Sequence, residues 1–206
     1  TALLLQAEAL GIPCASGLSM LVAQARRSSE IFTGTSIPAE ALERVERQVR
    51  ARLENIVLIG MPGSGKSSAA KLLGQALGRE VFECDAYIEE AAGKSIPEIF
   101  AEGGEQEFRR LETEALRELG KRSGIILSTG GGCVTRSENY PLLHQNGTIF
   151  WLLRSPWKLP SEGRPLSQAE SAEAMYARRE PMYRRFADVK IDNEGAIERA
   201  VELIRR

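Results

Sequence analysis

The chain has 206 residues, enough for one full domain and a smaller appendage but not for two ordinary domains. Its 27 Lys and Arg nearly balance 28 Asp and Glu, a net charge of -1, so no overall field points to nucleic acid or an anionic membrane, and any anion site has to be local. The cysteines, Cys14, Cys84 and Cys133, are widely spaced and form no CxxC pair, which argues against a disulfide framework or a zinc knuckle and fits a reducing cytoplasm. His144 is the single histidine, so a histidine metal cage or a Ser/His/Asp triad has little to draw on; it reads as a polar residue near a helix end.

In chain order, Leu3 to Ala25 is rich in Leu and Ala, but Gln6, Glu8, Pro13 and Gln24 interrupt it and no basic region precedes it, so it is not read as a targeting or membrane segment. Pro38 to Leu53 reads as a linker helix (36–53), with Pro38 in its first turn and Leu42, Val45, Val49 and Leu53 along one face. From Asn55 onward, short β-branched runs alternate with helical patterns. The predicted strands are Ile56–Gly60, Val81–Cys84, Ile125–Ser128, Thr148–Leu153 and Asp188–Ile191, and the first helix between them runs from about Gly65 to Leu77. Apolar strands followed by amphipathic helices imply an α/β domain: a parallel sheet covered on both faces, with ligands beyond the carboxyl ends of the strands.

The stretch GMPGSGKS, Gly60 to Ser67, has the spacing G-x-x-x-x-G-K-S between an apolar strand and an amphipathic helix. Such a loop wraps a phosphate in backbone N–H groups at a helix N-terminus. Gly63, Ser64, Gly65, Lys66, Ser67 and Ser68 are therefore the candidate ATP-binding residues. Lys66 is placed to reach the β and γ phosphates and Ser67 to ligate Mg²⁺. No N-K-x-D guanine-reading motif accompanies the loop.

Asp85 directly follows the second strand, where its carboxylate would face the cleft and accept or orient the proton of an attacking hydroxyl. ECDAYI, GGEQEFRRLE, STGGGCVT and RREPMYRR lie where an acceptor pocket over the sheet would be built. With the phosphate loop in front of them, residues 53–206 resemble the shikimate kinases, which phosphorylate the 3-hydroxyl of shikimate with ATP. The resemblance implies a P-loop, nucleoside-monophosphate-kinase-like fold: a five-stranded parallel sheet flanked by helices, here preceded by a helical N-terminal appendage.

On that resemblance Asp85 is the base-like, substrate-binding carboxylate, and Arg109 and Arg179 grip the substrate carboxylate, a task suited to the guanidinium fork. Gly131 and Gly132 lie under the substrate, where missing side chains allow close backbone approach. The acceptor segment is 85–114. A lid over 155–167 contains Arg164, followed by Pro165 and Leu166, which would reach the phosphates on closure and act in catalysis. Lys158 stands only approximately where the family has a basic residue packing on adenine. Two departures stand out: Glu83 replaces the usual first Asp of an Asp-x-Asp that helps hold Mg²⁺, and Ser167 replaces an apolar residue.

Residues 1–35 resemble the C-terminal end of shikimate dehydrogenase, through GLSMLVAQA and the trailing FTG. The resemblance implies that Gln24 stands where that family touches shikimate. The catalytic Lys/Asp pair and the nucleotide-binding glycine fingerprint are absent from the chain, which therefore is not expected to act as an oxidoreductase. Because the chain opens on Thr1, the expected origin is the tail of a dehydrogenase–kinase fusion, with a retained docking relic as the alternative. For the function, the alternatives are another small-metabolite kinase, such as a gluconate kinase, and a weakly active scaffold module.

Overall fold

The computed structural model of the chain describes residues 2–158 and 171–205. It divides into two compact units, Thr1–Glu54 and Asn55–Arg206. The first is helical: α1 (Ala2–Ala9), α2 (Leu18–Thr33) and α3 (Ala39–Leu53). Gly34 ends α2 at φ 66, a left-handed conformation that costs glycine little, and its N–H bonds Glu30 O. The Glu30 carboxylate then accepts from Ile37 N at 2.9 Å and Arg26 Nε at 2.9 Å, which fixes the turn into α3. Those bonds, the Ile37 amide foremost, hold the Glu30 carboxyl below its usual range. Ser19 Oγ donates to Glu46 Oε1 at 2.7 Å and ties α2 to α3. Pro38 caps α3 rather than entering its first turn, and none of Leu42, Val45, Val49 and Leu53 is buried.

The second unit is the α/β domain. Its strands are β1 (Asn55–Ile59), β2 (Val81–Glu83), β3 (Ile126–Ser128), β4 (Gly147–Leu153) and β5 (Val189–Asp192). They form a parallel sheet of five strands in the order β2-β3-β1-β4-β5. Each predicted strand is present, with ends within one residue of those expected. One shift has a chemical consequence: Cys84 opens a helix instead of ending a strand, so Asp85 sits in a first helical turn.

The helices are α4 (Lys66–Leu77), α5 (Cys84–Ala92), α6 (Ile96–Leu119), α7 (Asn139–His144), α8 (Ala172–Phe186) and α9 (Ile197–Ile204). Two apolar layers hold them to the sheet. Leu58, Ile126 and Leu152 pack with Ala69 and Leu73 of α4 and Ala200 and Ile204 of α9. Val57, Ile59, Leu127, Ile149 and Trp151 pack with Leu116 of α6, Leu143 of α7 and Tyr183 of α8. Strand side chains alternate between the two sets, as a sheet covered on both faces requires. Ser95 and Glu98 form a reciprocal capping box that starts α6, and Gly104, at φ 66 and ψ -169, kinks it. His144 is the last residue of α7, as expected for a helix-end polar residue. Among the described residues no helix is long and apolar enough to cross a membrane.

The strand order turns at β1: the chain leaves it for β2 on one side and β4 lies on the other. Loops at the carboxyl ends of β1 and β3 therefore open onto a crevice, the usual ligand position in such sheets.

Candidate active site

The loop after β1 needs its glycines. Gly60, Gly63 and Gly65 have φ of 148, 80 and 94, conformations that side chains disfavour. At Gly60 a Cβ would also come within 2.7 Å of Leu152 O. The loop bends into the N-terminus of α4, whose end of the helix dipole favours an anion. Lys66 is almost wholly buried, and its Nζ donates to Gly60 O at 2.9 Å and Met61 O at 3.0 Å, so the ammonium is held at the mouth of its own loop. From the far side, Asn193 Nδ2 donates to Ser64 O at 2.6 Å and braces the loop against the end of β5.

Beyond the loop lies a cavity of about 350 Å³ lined by Gly63, Lys66, Ser67, Glu83, Asp85, Arg109, Gly131, Gly132 and Arg179, among others. Nine of the sequence-derived candidates thus share one space. Ser64 is buried within the phosphate loop, and Gly65 and Ser68 lie at the start of α4, outside the cavity lining. Ile96, Pro97, Phe100, Phe108 and Met175 form an apolar wall. A small chamber with charged groups and an apolar wall beside a phosphate cradle suits an acceptor with both hydroxyls and a charged group.

Asp85 lines this cavity, although its side chain is also exposed to solvent. Burial raises its carboxyl above the usual range, Lys66 pulls the other way, Glu83 adds to the rise and Arg109 opposes it. Ser67 Oγ donates to Glu83 Oε2 at 3.0 Å, while Glu83 Oε1 is shielded from solvent with no hydrogen-bond partner. One hydroxyl and one carboxylate are a fitting protein share for Mg²⁺, which keeps several waters and takes phosphate oxygens. No group of His, Cys, Asp or Glu among the described residues is dense enough to cage a metal by itself.

Arg109 projects from α6 and is held by two carboxylates. Its Nη1 donates to Glu112 Oε2 at 2.7 Å and its Nη2 to Glu105 Oε1 at 3.2 Å. Glu112 is completely buried, and burial raises its carboxyl above the usual range despite Arg109. It was not singled out from sequence, although its spacing of three from Arg109 on one helix is the signal for such a pair.

The triplet after β3 is glycine for reasons of space, since none of the three has positive φ. A Cβ at Gly130 would meet Glu112 Oε1 at 2.6 Å and Asp85 Oδ1 at 3.1 Å, one at Gly131 would meet Pro62 Cδ at 2.5 Å, and one at Gly132 would meet Arg109 Nη2 at 2.1 Å. Arg179, from α8, is buried, and its Nη1 donates to Gly131 O at 3.2 Å.

The proposed lid lies largely outside the described residues, and with it Arg164 and Ser167. Its first residues, Ser155 to Lys158, are described. Glu194, in the turn after β5, accepts from Ser155 N at 2.5 Å and Lys158 Nζ at 2.8 Å. The Lys158 and Ser155 bonds pull the Glu194 carboxyl down to about 2.

A phosphate cradle with a lysine at its mouth, facing a carboxylate and two arginines across a small cavity at the carboxyl ends of parallel strands, defines a P-loop kinase that uses ATP and takes a small anionic acceptor. The model of the family described as Shikimate kinase matches residues 62–206. A shikimate kinase of Limosilactobacillus fermentum is 44% identical over 147 residues, 66% of this chain and 84% of that one. One from Parasynechococcus marenigrum is 42% identical over 139 residues, 63% and 72% of the two chains. The solved structure of a shikimate kinase from Acinetobacter baumannii in complex with shikimate superposes with a TM-score of 0.66 at 30% identity, covering 77% of this chain and 92% of that one.

The chain belongs to the shikimate kinase family. That decides among the acceptors weighed from sequence. Upstream, residues 17–45 match the model described as Shikimate 5'-dehydrogenase C-terminal domain, in agreement with the dehydrogenase-like stretch, and the match runs into α3.

Proposed function

We propose that the cavity binds shikimate and that its 3-hydroxyl receives the γ-phosphate of ATP held in the loop after β1. The observation that carries this reading is the convergence of Lys66, Asp85, Arg109 and Arg179 on one cavity of about 350 Å³. In the reading, the N–H groups at the start of α4 and Lys66 hold the β and γ phosphates; Lys66 leaves its loop carbonyls for the phosphate oxygens. Asp85 accepts a hydrogen bond from the 3-hydroxyl, aims the oxygen at phosphorus and takes its proton as the new bond forms. A carboxyl raised by burial is a better proton acceptor than an ordinary aspartate. Arg109 and Arg179 bind the acceptor's carboxylate, Glu112 keeps the Arg109 fork in place, and Gly131 and Gly132 contact the ring.

Ser67 and Glu83 are the residues that would hold Mg²⁺, which when bound neutralises charge on the phosphates. Arg164 is assigned to the phosphates from sequence only. Catalysis on this reading is alignment and charge neutralisation, with the proton moving to Asp85.

The reading keeps three regions, a dehydrogenase-like remnant, a connecting helix and the kinase domain, with the acceptor segment at 85–114 and the lid at 155–167; of their boundaries, the division at Glu54 and Asn55 supports the start of the kinase domain. The family match at 17–45 supports a covalent fusion to a shikimate dehydrogenase domain. The three free cysteines support a cytoplasmic site of action. The test is a coupled ADP-release assay with ATP, Mg²⁺ and shikimate, set against gluconate and a blank without acceptor. Turnover confined to shikimate is expected; equal turnover with gluconate, or ADP release without acceptor, would sink the reading. Sequencing the reading frame upstream of Thr1 tests the fusion.

A further inference from the structure

Tyr183 is a full helical turn beyond Arg179 on α8, and it is completely buried. Its ring stacks on Trp151 of β4, with centroids 5.7 Å apart. A ring so placed needs a partner for its hydroxyl, and Tyr183 Oη donates to the carbonyl of Gly131, the same oxygen that Arg179 Nη1 reaches at 3.2 Å. Met61 Sδ, on the phosphate loop, lies 3.8 Å from the same hydroxyl. Gly131 is thus held from one side by Tyr183 and Arg179 and from another by Pro62, whose ring leaves no room for a Cβ.

A glycine run has little conformational preference of its own, so its carbonyl anchor decides which way its peptides face. In a trans peptide the N–H points opposite the C=O. With the Gly131 carbonyl turned toward Tyr183, the Gly132 N–H is turned away from it. The N–H groups of Gly131 and Gly132 have no partner among the described residues, and both glycines line the cavity. A free donor pair on a cavity wall is where an acceptor oxygen binds.

We infer that Tyr183 is a positioning residue for acceptor binding: by holding the Gly131 carbonyl it presents the amide of Gly132 to shikimate. The inference rests on the reading of those glycines as substrate-binding. The substitution Tyr183→Phe removes only the hydroxyl and keeps the stacked ring. The expected result is a rise of about tenfold in KM for shikimate, the size of one lost neutral hydrogen bond, with KM for ATP unchanged and the melting temperature lower by no more than a few degrees. In the unsubstituted protein the ¹⁵N–¹H signal of Gly132 should move on adding shikimate, and in Tyr183→Phe the movement should shrink. If the Gly132 amide does not respond in the unsubstituted protein, the glycine reading fails and the inference with it. If it responds but Tyr183→Phe leaves KM for shikimate within twofold, or raises KM for ATP as much as KM for shikimate, the glycine stands and the role of Tyr183 is refuted.

Discussion

Ser67 Oγ and Glu83 Oε2 are joined by a 3.0 Å hydrogen bond that links the first turn of α4 to the end of β2. With Glu83 Oε1 shielded and unpaired, the pair presents oxygen ligands beside the phosphate cradle. Replacing Glu83 by Gln keeps the size but removes the charge, so the Mg²⁺ concentration for half-maximal rate should rise by about tenfold, the cost of losing one charged ligand interaction. Glu83→Asp, which retains the charge, should lie much closer to the unsubstituted protein. A Mg²⁺ titration of the initial rate separates the two; equal titrations for Glu83→Gln and the parent would remove Glu83 from the metal site.

The pH dependence follows from Asp85. Burial raises its carboxyl, so the reactive carboxylate is lost as pH falls through a value above the ordinary aspartate figure of about 3.9. The acid limb of kcat/KM should sit correspondingly high. The same shift acts on stability with the opposite benefit: a carboxyl raised on folding binds its proton more tightly in the folded state, so stability declines as pH climbs from the unfolded to the folded pKa and stays lowered above both. Because Asp85 is also exposed to solvent, Asp85→Asn should melt within about a degree or two of the parent, and not below that, at pH 7 while losing on the order of 10²- to 10⁴-fold in kcat. Thermal melts and rates on one preparation check both, and a variant that loses stability along with activity would contradict the account.

Arg109 has two carboxylate partners that differ in environment. Glu112 is completely buried, whereas the Glu105 side chain is half exposed. Removing one partner of a buried pair leaves an uncompensated charge and costs about 3–5 kcal/mol, whereas an exposed partner contributes about 0–1 kcal/mol. Glu112→Ala should lower the unfolding free energy from urea titration by an amount in the first range and raise KM for shikimate, because the Arg109 fork loses its anchor. Glu105→Ala should do little to either. Comparable losses in the two variants would mean that Glu112 does not set the position of Arg109.

The central part of this architecture is written in local patterns. Strand and helix periods alternate from Asn55 on, and the glycines of the phosphate loop announce backbone angles that side chains avoid. Asp85 was legible because it follows a strand, although the helix beginning at Cys84 sets its direction. Glu112 was not, because an acidic residue in a charged helix reads as solvated, and only the tertiary fold buries it beneath Gly130. Tyr183 was hidden in a run of arginines for a similar reason. The anchor between Glu194 and Ser155 spans 39 positions, and no spacing rule reaches across that distance. At the other end of the chain, the dehydrogenase-like motif was visible, but its match extends through the turn that Glu30 fixes and into α3.

The last prediction concerns the helical unit. Both apolar clusters that hold the sheet are built wholly from residues after Asn55, and they include the side chains that support the phosphate loop, α6 and α8. A span of about 150 residues is an ordinary size for a domain that folds alone. Within Thr1–Glu54, by contrast, Leu3, Leu10, Met20, Leu21, Ile31 and Phe32 are exposed, and Val22 is the one buried apolar residue among those described. A chain beginning at Asn55 should therefore fold and keep kcat/KM for shikimate within about threefold of the parent, since it retains every group placed at the cavity. The coupled assay and a melting curve on the shortened chain decide it. Loss of activity with an intact melt would show that the helices act on the kinase site. Loss of both would show that the two apolar clusters do not suffice to hold the sheet.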